Sequence, residues 1–451
     1  MPIIGSVADD LTGATTTGVL LARSKARTAV FFDVDAAQHA ENMDQLDAII
    51  ISSNSRPLPA DKAYQVVSDA TAALKGMGCK YYQKRIDTTC RGGIGVEIDA
   101  MLDTLGEDHV AIVVPAMPQS RRILVGGFSV IDGVALINTP VAQDVRTPVK
   151  ENYIPRLLEG QTNRKVGLVT LDTVMRGSDA VRDELWRQRG RGCQVIVVDA
   201  ITIKDVETIA KGAISTDWDF ITVDPGPFTA KVAFHRSLIG LEEDNLPPYG
   251  EENGKTILVM AGSATSVTKR QMEVLCEDPR HVRIVVDPKL LIDGGERARA
   301  EIEAASETAF QLIMGNEQPR AILFETALHG TLLNLAEEEH KRHLAPGMAA
   351  DRINDGLGQI AKAVTDKAGM ERIAGIYATG GDTMVFTCKA LGVKCLEVFD
   401  YVIPQTDIGA LKGGRYDGMP IVGKGGLTGN DNTACEIVTR LFNERARRNR
   451  E

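Results

Sequence analysis

The feature that most limits what this 451-residue chain can become is the recurrence of short, unbroken apolar runs, rich in valine and isoleucine, with helix-like segments between them. The first half carries "IIGSVA", "TAVFF", "LDAIIISS", "HVAIVVPA", "KVGLVTL" and "QVIVVDA". A strand that is apolar at every position, not every second one, is covered on both faces, as in a parallel sheet with helices on either side. The fold class is therefore α/β. Residues 240–255 break the pattern with "GLEEDNLPPYGEENGK", acidic, with two prolines and no periodicity, as an interdomain linker does. Alternation then resumes with "TILVMAG", "VRIVVD", "RAILFET", "IAGIYATGG" and "KCLEVFD". One hydrophobic core rarely serves more than about 250–300 residues. Two α/β domains with mostly parallel sheets are expected, 1–240 and 256–451, joined by a linker at 241–255. A substrate cleft between them is expected too, since paired domains commonly hold small molecules there.

Composition narrows the partners. A formal net charge of -10 argues against a nucleic-acid footprint, which needs clustered Lys and Arg. No stretch approaches the roughly 20 apolar residues of a membrane span, and no secretory leader pattern opens the chain. Seven cysteines, odd in number and never spaced as CxxC, suit a reducing compartment and neither a disulfide framework nor a zinc site. A cytoplasmic protein, bound to neither nucleic acid nor membrane, is the expectation. The oligomeric state is left open, a homo-oligomer included.

Three signals mislead. "GEENGKT" (Gly250 to Thr256) has one residue too few between its glycines for a P-loop, and it enters a strand where a P-loop leaves one. "VFFDVDAA" sets Asp33 and Asp35 after a strand, as in haloacid-dehalogenase-type phosphatases, but Ala37 stands where that pattern wants Thr or Val; a strand-end turn is the plainer reading. His340 and His343 of "HKRH" fall one helical turn apart among charged neighbours, which reads as a solvated face. No metal ligands can be named from the sequence.

The informative stretches sit at the carboxyl ends of strands, where open α/β sheets bind ligands. "VADDLTGA" puts Asp9 and Asp10 at the end of the first run. One of them can cap the following helix; two adjacent carboxylates exceed what a cap needs. "YYQKRIDTTCRGGIGVE" gathers Lys84, Arg85, Asp87 and Arg91 in one turn, then glycines that allow close backbone approach, then a helix-like stretch with Glu97. "IIISSNSRPLP" adds Arg56. Arginine offers a planar fork that suits a carboxylate, so the three strand ends together would hold a small hydroxy acid. In the second half, "AGSATSVT" (261–268), "ATGGDT" (378–383) and "GKGGLTGND" (423–431) each set small residues between a strand and a helix, where free N–H groups and the helix dipole favour phosphate.

Taken in order, "ADDLTGA", "SSNSR", "KRIDTTCRG" with "GVEIDA", "VVPAMPQSRR", "AGSATSVTKRQ" and "GGDT" resemble the four-carbon acid sugar kinases over nearly the whole chain, most specifically in its first 130 residues. The resemblance implies an N-terminal sugar-acid-binding domain and a C-terminal nucleotide-binding domain. It also implies ATP-dependent phosphorylation of the terminal (4-) hydroxyl of threonate, erythronate or 3-oxo-tetronate. By motif, Asp9, Arg56 and the turn Lys84, Arg85, Ile86, Asp87 contact the acid. Ser263, the turn Gly380, Gly381, Asp382, Thr383, and Gly426 contact the nucleotide. The chain departs from the family at Thr88, Cys90 and Gly93 of "IDTTCRGG". It departs again at "GKGGLTG", where Lys424 takes a serine position and one extra residue precedes Gly429.

Phosphoryl transfer needs positioning and charge neutralisation more than covalent chemistry. On this reading Arg56, Lys84 and Arg85 fix the acid, the glycine loops cradle ATP, Mg2+ bridges its phosphates, and Asp9, Asp10 or Asp87 serves as general base. D-threonate or D-erythronate is the expected acceptor and 3-oxo-tetronate the alternative. More distant alternatives are a phosphatase dependent on Asp33 and a non-enzymatic sugar-acid sensor, neither of which needs a nucleotide site.

Overall fold

The structure is a computed structural model that describes residues 3–40, 43–106, 108–144, 147–240, 254–329 and 332–448. The chain divides into two compact units, Met1–Asp244 and Asn245–Glu451. Of the linker expected at 241–255, residues 241–253 lie outside the described residues, as does the first part of "GEENGKT".

In the first unit the apolar runs form β1 (Ile4–Ala8), β2 (Thr28–Phe31), β3 (Ala48–Ser52) and β5 (Val110–Val113), and the polar "YYQKR" forms β4 (Tyr81–Arg85). A separate small sheet of β6 (Arg122–Val125), β7 (Phe128–Ile131) and β8 (Val134–Ala135) follows, and then β9 (Val166–Val169), β10 (Val195–Val198) and β11 (Phe220–Asp224). The main sheet runs β2-β3-β1-β4-β11-β5-β10-β9, with every neighbouring pair parallel. β1 and β3 are buried at every residue, as their unbroken apolar composition requires. The polar exceptions within the sheet are satisfied across it: Ser6 Oγ donates to Gln83 Oε1 at 2.7 Å, and Gln83 Nε2 to Asp224 Oδ1 at 2.9 Å. After β1 the chain moves to β2 and β3 on one side, then crosses to β4 on the other. β1 thus lies where the winding reverses, and crevices at such points take ligands.

The small sheet β6-β7-β8 is antiparallel. Its β6–β7 turn is held by the buried Asp199 carboxylate, which accepts from the N–H of Gly126 at 2.6 Å and of Gly127 at 2.8 Å.

In the second unit the strands are β12 (Thr256–Ala261), β13 (His281–Val285), β14 (Ala321–Glu325), β15 (Ile373–Thr379), β16 (Cys395–Ile403), β17 (Thr406–Lys412) and β18 (Pro420–Lys424). Their order is β13-β14-β12-β15-β18-β17-β16, parallel through β18 and antiparallel for the last two pairings. The expectation of mostly parallel α/β sheets is met. The antiparallel pairings of β17 with β16 and with β18, and the small sheet, are additions that unbroken apolar runs do not signal. Among the described residues all seven cysteines are free, and no helix is long and apolar enough to cross a membrane.

Candidate active site

In the first unit, β3, β1 and β4 are neighbours in a register that aligns Ala8 with both Ser52 and Arg85. The segments leaving these three strands therefore emerge side by side. Asp10 caps the helix Leu11–Ala22, its Oδ1 accepting from Gly13 N at 2.8 Å. Asp9 caps nothing and is buried. Arg56 Nε donates to Asp9 Oδ2 and Arg56 Nη1 reaches Asp10 Oδ2, both at 2.8 Å. Arg85 Nη1 bridges Asp9 Oδ1 at 2.9 Å and Asp10 Oδ1 at 3.1 Å. Arg56 Nη2 lies 3.9 Å from Asp87 Oδ1, and Asp87 Oδ2 accepts from Arg91 Nε at 2.7 Å. Arg91 also reaches Asp144 at 3.1 Å. Six of the residues singled out from sequence, with Asp144, thus form one network of alternating charge.

Gly13 explains why this helix can start with glycine in its first turn. A Cβ there would lie 1.7 Å from Arg85 Nη1, so the guanidinium occupies the space a side chain would take. Gly92, at φ +90°, lets the turn after β4 fold against the Arg56 backbone.

Burial pushes the Asp9 carboxyl up, but Arg56, Arg85 and Lys84 outweigh it and hold it at about 2. Asp87 is held well below the carboxylate range: Arg56 and Arg91 overcome the same desolvation. Burial opposes the charge on Arg56, yet Asp9, Asp10 and Asp87 keep it firmly protonated. Arg85 still has a donor to spend, since its buried Nε finds no partner among the described residues.

Lys84 and Ile86 stand apart from the other residues of their turn. The Lys84 side chain is 0% exposed, its ammonium 2.7 Å from Glu97 Oε2 of the helix Ile94–Leu105 and donating to Arg85 O at 2.8 Å. It supports the turn from beneath and has no atom free for a ligand. Ile86 is buried, with its N–H donated to Asp224 O at 3.2 Å. Beside Arg56 opens a cavity of about 670 Å³ lined by Gly92, Gly93, Thr147, Lys150 and Gln161 among others, within the size range of small-ligand sites. Asp33, the rival nucleophile, caps the short helix Val34–Gln38 by accepting from Ala36 N at 2.8 Å.

In the second unit the adjacent strands β12, β15 and β18 deliver the three glycine-rich loops to one place. Thr265 caps the helix Ser266–Leu275, and its hydroxyl also donates to Gly426 O at 2.6 Å. Thr268 Oγ1 bonds Ser263 Oγ at 3.1 Å, and Ser263 N donates to Thr379 Oγ1 at 3.3 Å. Gly380, at φ +101°, donates its N–H to Lys424 O at 2.8 Å and opens the helix Gly381–Ala390, whose first turn holds Gly381, the exposed Asp382 and the buried Thr383. No side chain caps that helix, so its first amides stay available to an anion. The loops close on each other tightly: a Cβ at Gly262 would meet Thr383 Oγ1 at 2.2 Å, and one at Gly426 would meet Ser263 Oγ at 2.6 Å.

Sequence reasoning missed the space beside these loops. A cavity of about 460 Å³ is lined by Gly262 and Ala264, by the apolar Val285, Pro288, Leu335 and Ile353, and by Asn354, which accepts from Thr383 Oγ1 at 2.8 Å. Its walls come from four separate segments, and no spacing in the sequence links them.

Residues 4–232 match the family model of a sugar-binding N-terminal domain, and residues 258–434 that of a nucleotide-binding C-terminal domain. A D-erythronate kinase of Heliobacterium modesticaldum is 38% identical over 97% of this chain and 98% of its own length. The chain belongs to the four-carbon acid sugar kinase family. Other members are similar over comparable spans. A D-threonate kinase of Salmonella typhimurium is 28% identical over 96% of both chains, and a 3-oxo-tetronate kinase of Pseudomonas fluorescens is 29% identical over 94% of this chain and 96% of that one. Solved structures from Haemophilus influenzae (TM-score 0.74, 22% identity, 97% of this chain and all of that one) and Salmonella typhimurium (TM-score 0.78, 20% identity, 97% and 99%) share the fold.

Proposed function

We propose that this protein is an ATP-dependent kinase that phosphorylates the terminal (4-) hydroxyl of a four-carbon acid sugar, D-erythronate or D-threonate. The observation that carries the reading is the convergence of Asp9, Arg56, Arg85 and Asp87 at three adjacent strand ends of the unit that matches a sugar-binding domain. The 38% identity to a D-erythronate kinase supports a saturated C4 acid over the 3-oxo alternative.

The ion pairs suggest how the acid enters. In the free site each guanidinium is engaged by protein carboxylates. A substrate carboxylate offers Arg85 Nε its missing acceptor and competes for Arg56, while the sugar hydroxyls donate to Asp9 and Asp87. Each carboxylate that loses a guanidinium regains basicity. One of Asp9, Asp10 or Asp87 then accepts the proton of the 4-hydroxyl as its oxygen attacks the γ-phosphorus and the bond to the β-phosphate oxygen breaks, releasing ADP. In the second unit, Ser263, the Gly380–Thr383 turn and Gly426 would hold the phosphate chain, and the apolar cavity beside Gly262 would take the base. Among the described residues no group of three or more His, Cys, Asp or Glu could cage a metal ion. Mg2+ would arrive on the phosphates, as it commonly does, and would neutralise part of their charge.

A screen of C4 aldonates and 3-oxo acids for ATP-dependent ADP release tests the reading. Asp9→Asn should remove most turnover with D-erythronate or D-threonate and leave nucleotide affinity nearly unchanged; wild-type turnover in that variant would overturn the assignment of Asp9. A protein that binds acid sugars without ADP release would be a sensor, and phosphate release without ATP would mark a phosphatase.

A further inference from the structure

The second unit contains one buried cation that neither the fold nor the site above has explained. Lys424 ends β18, is 1% exposed, and among the described residues pairs with no carboxylate. Its ammonium donates instead to two carbonyls of the loop that follows, Gly425 O at 2.8 Å and Thr428 O at 3.2 Å. A buried ammonium without a counter-charge is costly, and structure alone gives no reason to keep one where methionine would fill the space.

The direction of the peptide groups supplies the reason. In a trans peptide the C=O and the following N–H point opposite ways, and the described chain has no cis bond. With Gly425 O turned onto the ammonium, the N–H of Gly426 points away from it. Because Gly426 O is held by Thr265 Oγ1 and Thr268 Oγ1, the N–H of Leu427 points away from those hydroxyls. Neither amide has a protein acceptor among the described residues. Gly426 cannot carry a side chain without striking Ser263. The loop thus offers free amides backed by a positive charge, the arrangement of a backbone anion nest.

We propose that Lys424 is a positioning residue for the nucleotide: it fixes the Gly425–Thr428 loop by its carbonyls so that the opposite amides meet the phosphate chain, and the phosphates supply the counter-charge that the protein withholds. The inference rests on the nucleotide-binding reading of the second unit. It also gives a role to the lysine that stands in the serine position of "GKGGLTG".

Burial alone lowers the Lys424 ammonium to about 8. The packed elements carry other titratable groups, among them Tyr377 of β15, Asp382 at the start of the next helix, Asp407 of β17, and Glu436, Arg440 and Glu444 of the helix Thr433–Arg448; among the described residues none pairs with the ammonium. Arrival of phosphate should restore the ordinary lysine range, so binding takes up a proton.

The test is calorimetric titration of MgATP into the full chain at pH 8.5, in buffers of different ionisation enthalpy, for the wild type and for Lys424→Met. Wild type should take up roughly 0.7 proton per site; the variant should take up none and bind about 10- to 100-fold more weakly, the range of a charge-assisted contact. Wild-type binding with no proton uptake overturns the proposal, and this measurement stands whether or not the variant folds. A folded variant that binds MgATP with wild-type affinity overturns it as well. If wild type binds no MgATP, the nucleotide reading itself fails and the inference falls with it.

Discussion

Lys84 was expected to touch the substrate, and the structure gives it a buried partner instead, which makes a double-mutant cycle decisive. Lys84 Nζ has three acceptors: Glu97 Oε2 at 2.7 Å, Arg85 O at 2.8 Å and Val7 O at 3.4 Å. Both side chains of the ion pair are at most 2% exposed. Lys84→Met would leave the Glu97 carboxylate buried without compensation, which costs about 3–5 kcal/mol. Against a typical domain stability of about 5–15 kcal/mol this is severe. At roughly 2–4 °C per kcal/mol for a unit of this size, the melting temperature should fall by about 6–20 °C. Lys84→Met with Glu97→Met removes both charges and keeps the volume, and should return to within about 2 kcal/mol of wild type, the residue being the two orphaned carbonyls. Calorimetric melting gives the stability arm, and steady-state KM for the acid sugar gives the functional one. The double variant should keep KM within a few fold, because no atom of Lys84 is free for a ligand. A single variant that melts like wild type, or a stable double variant whose KM for the acid rises tenfold or more, would refute the structural assignment of Lys84.

Gly13→Ala should act at the site with little reach beyond it. The new methyl would overlap Arg85 Nη1, so the guanidinium must leave Asp9 and Asp10; overpacking of this kind costs about 1–3 kcal/mol. KM for the acid should rise at least tenfold while MgATP affinity stays unchanged, measurable by a coupled ADP assay and by titration. The pH dependence of stability has a definite sign at Asp9. Its folded value of about 2 lies below the usual unfolded value of about 3.9, so its contribution, on the order of 2 kcal/mol, is present above pH ~4 and lost as pH falls toward 2. Asp87 acts in the same direction. Urea midpoints of wild type and Asp9→Asn should therefore differ at pH 6 and converge near pH 2; a constant gap would refute the linkage.

Much of the first unit was legible because its signals are local. Unbroken Val/Ile runs named most strands of the parallel sheet, and the position of Asp10 before "LTGA" named a helix cap. β11, "FITVD", and the β17 and β18 strands carry polar or glycine interruptions, so their burial depends on neighbours that sequence does not reveal. At the site, the charged residues of "VADD", "NSR" and "KRID" were visible, but apart from Asp10, offered also as a helix cap, their chemistry was read as though each faced a ligand. Which of them faces another residue of the chain is a matter of strand register and side-chain direction. Lys84 and Arg85 are consecutive in β4 and so point to opposite faces of the sheet: one toward Glu97, the other toward Asp9.

By itself the sequence determined the α/β class, the two-part organisation and the strand-end segments that make up the candidate sites, since apolar continuity and glycine placement act over a few residues. Tertiary structure decided the rest. Sheet order put β3, β1 and β4 together, and β12, β15 and β18 together, turning scattered motifs into two candidate sites. It also assigned Lys84 to Glu97, gave Gly13 its purpose as room for a guanidinium, and left Lys424 buried with no counter-ion among the described residues. Each of these is an electrostatic or steric relation between residues far apart in the chain, set only when the strands pair.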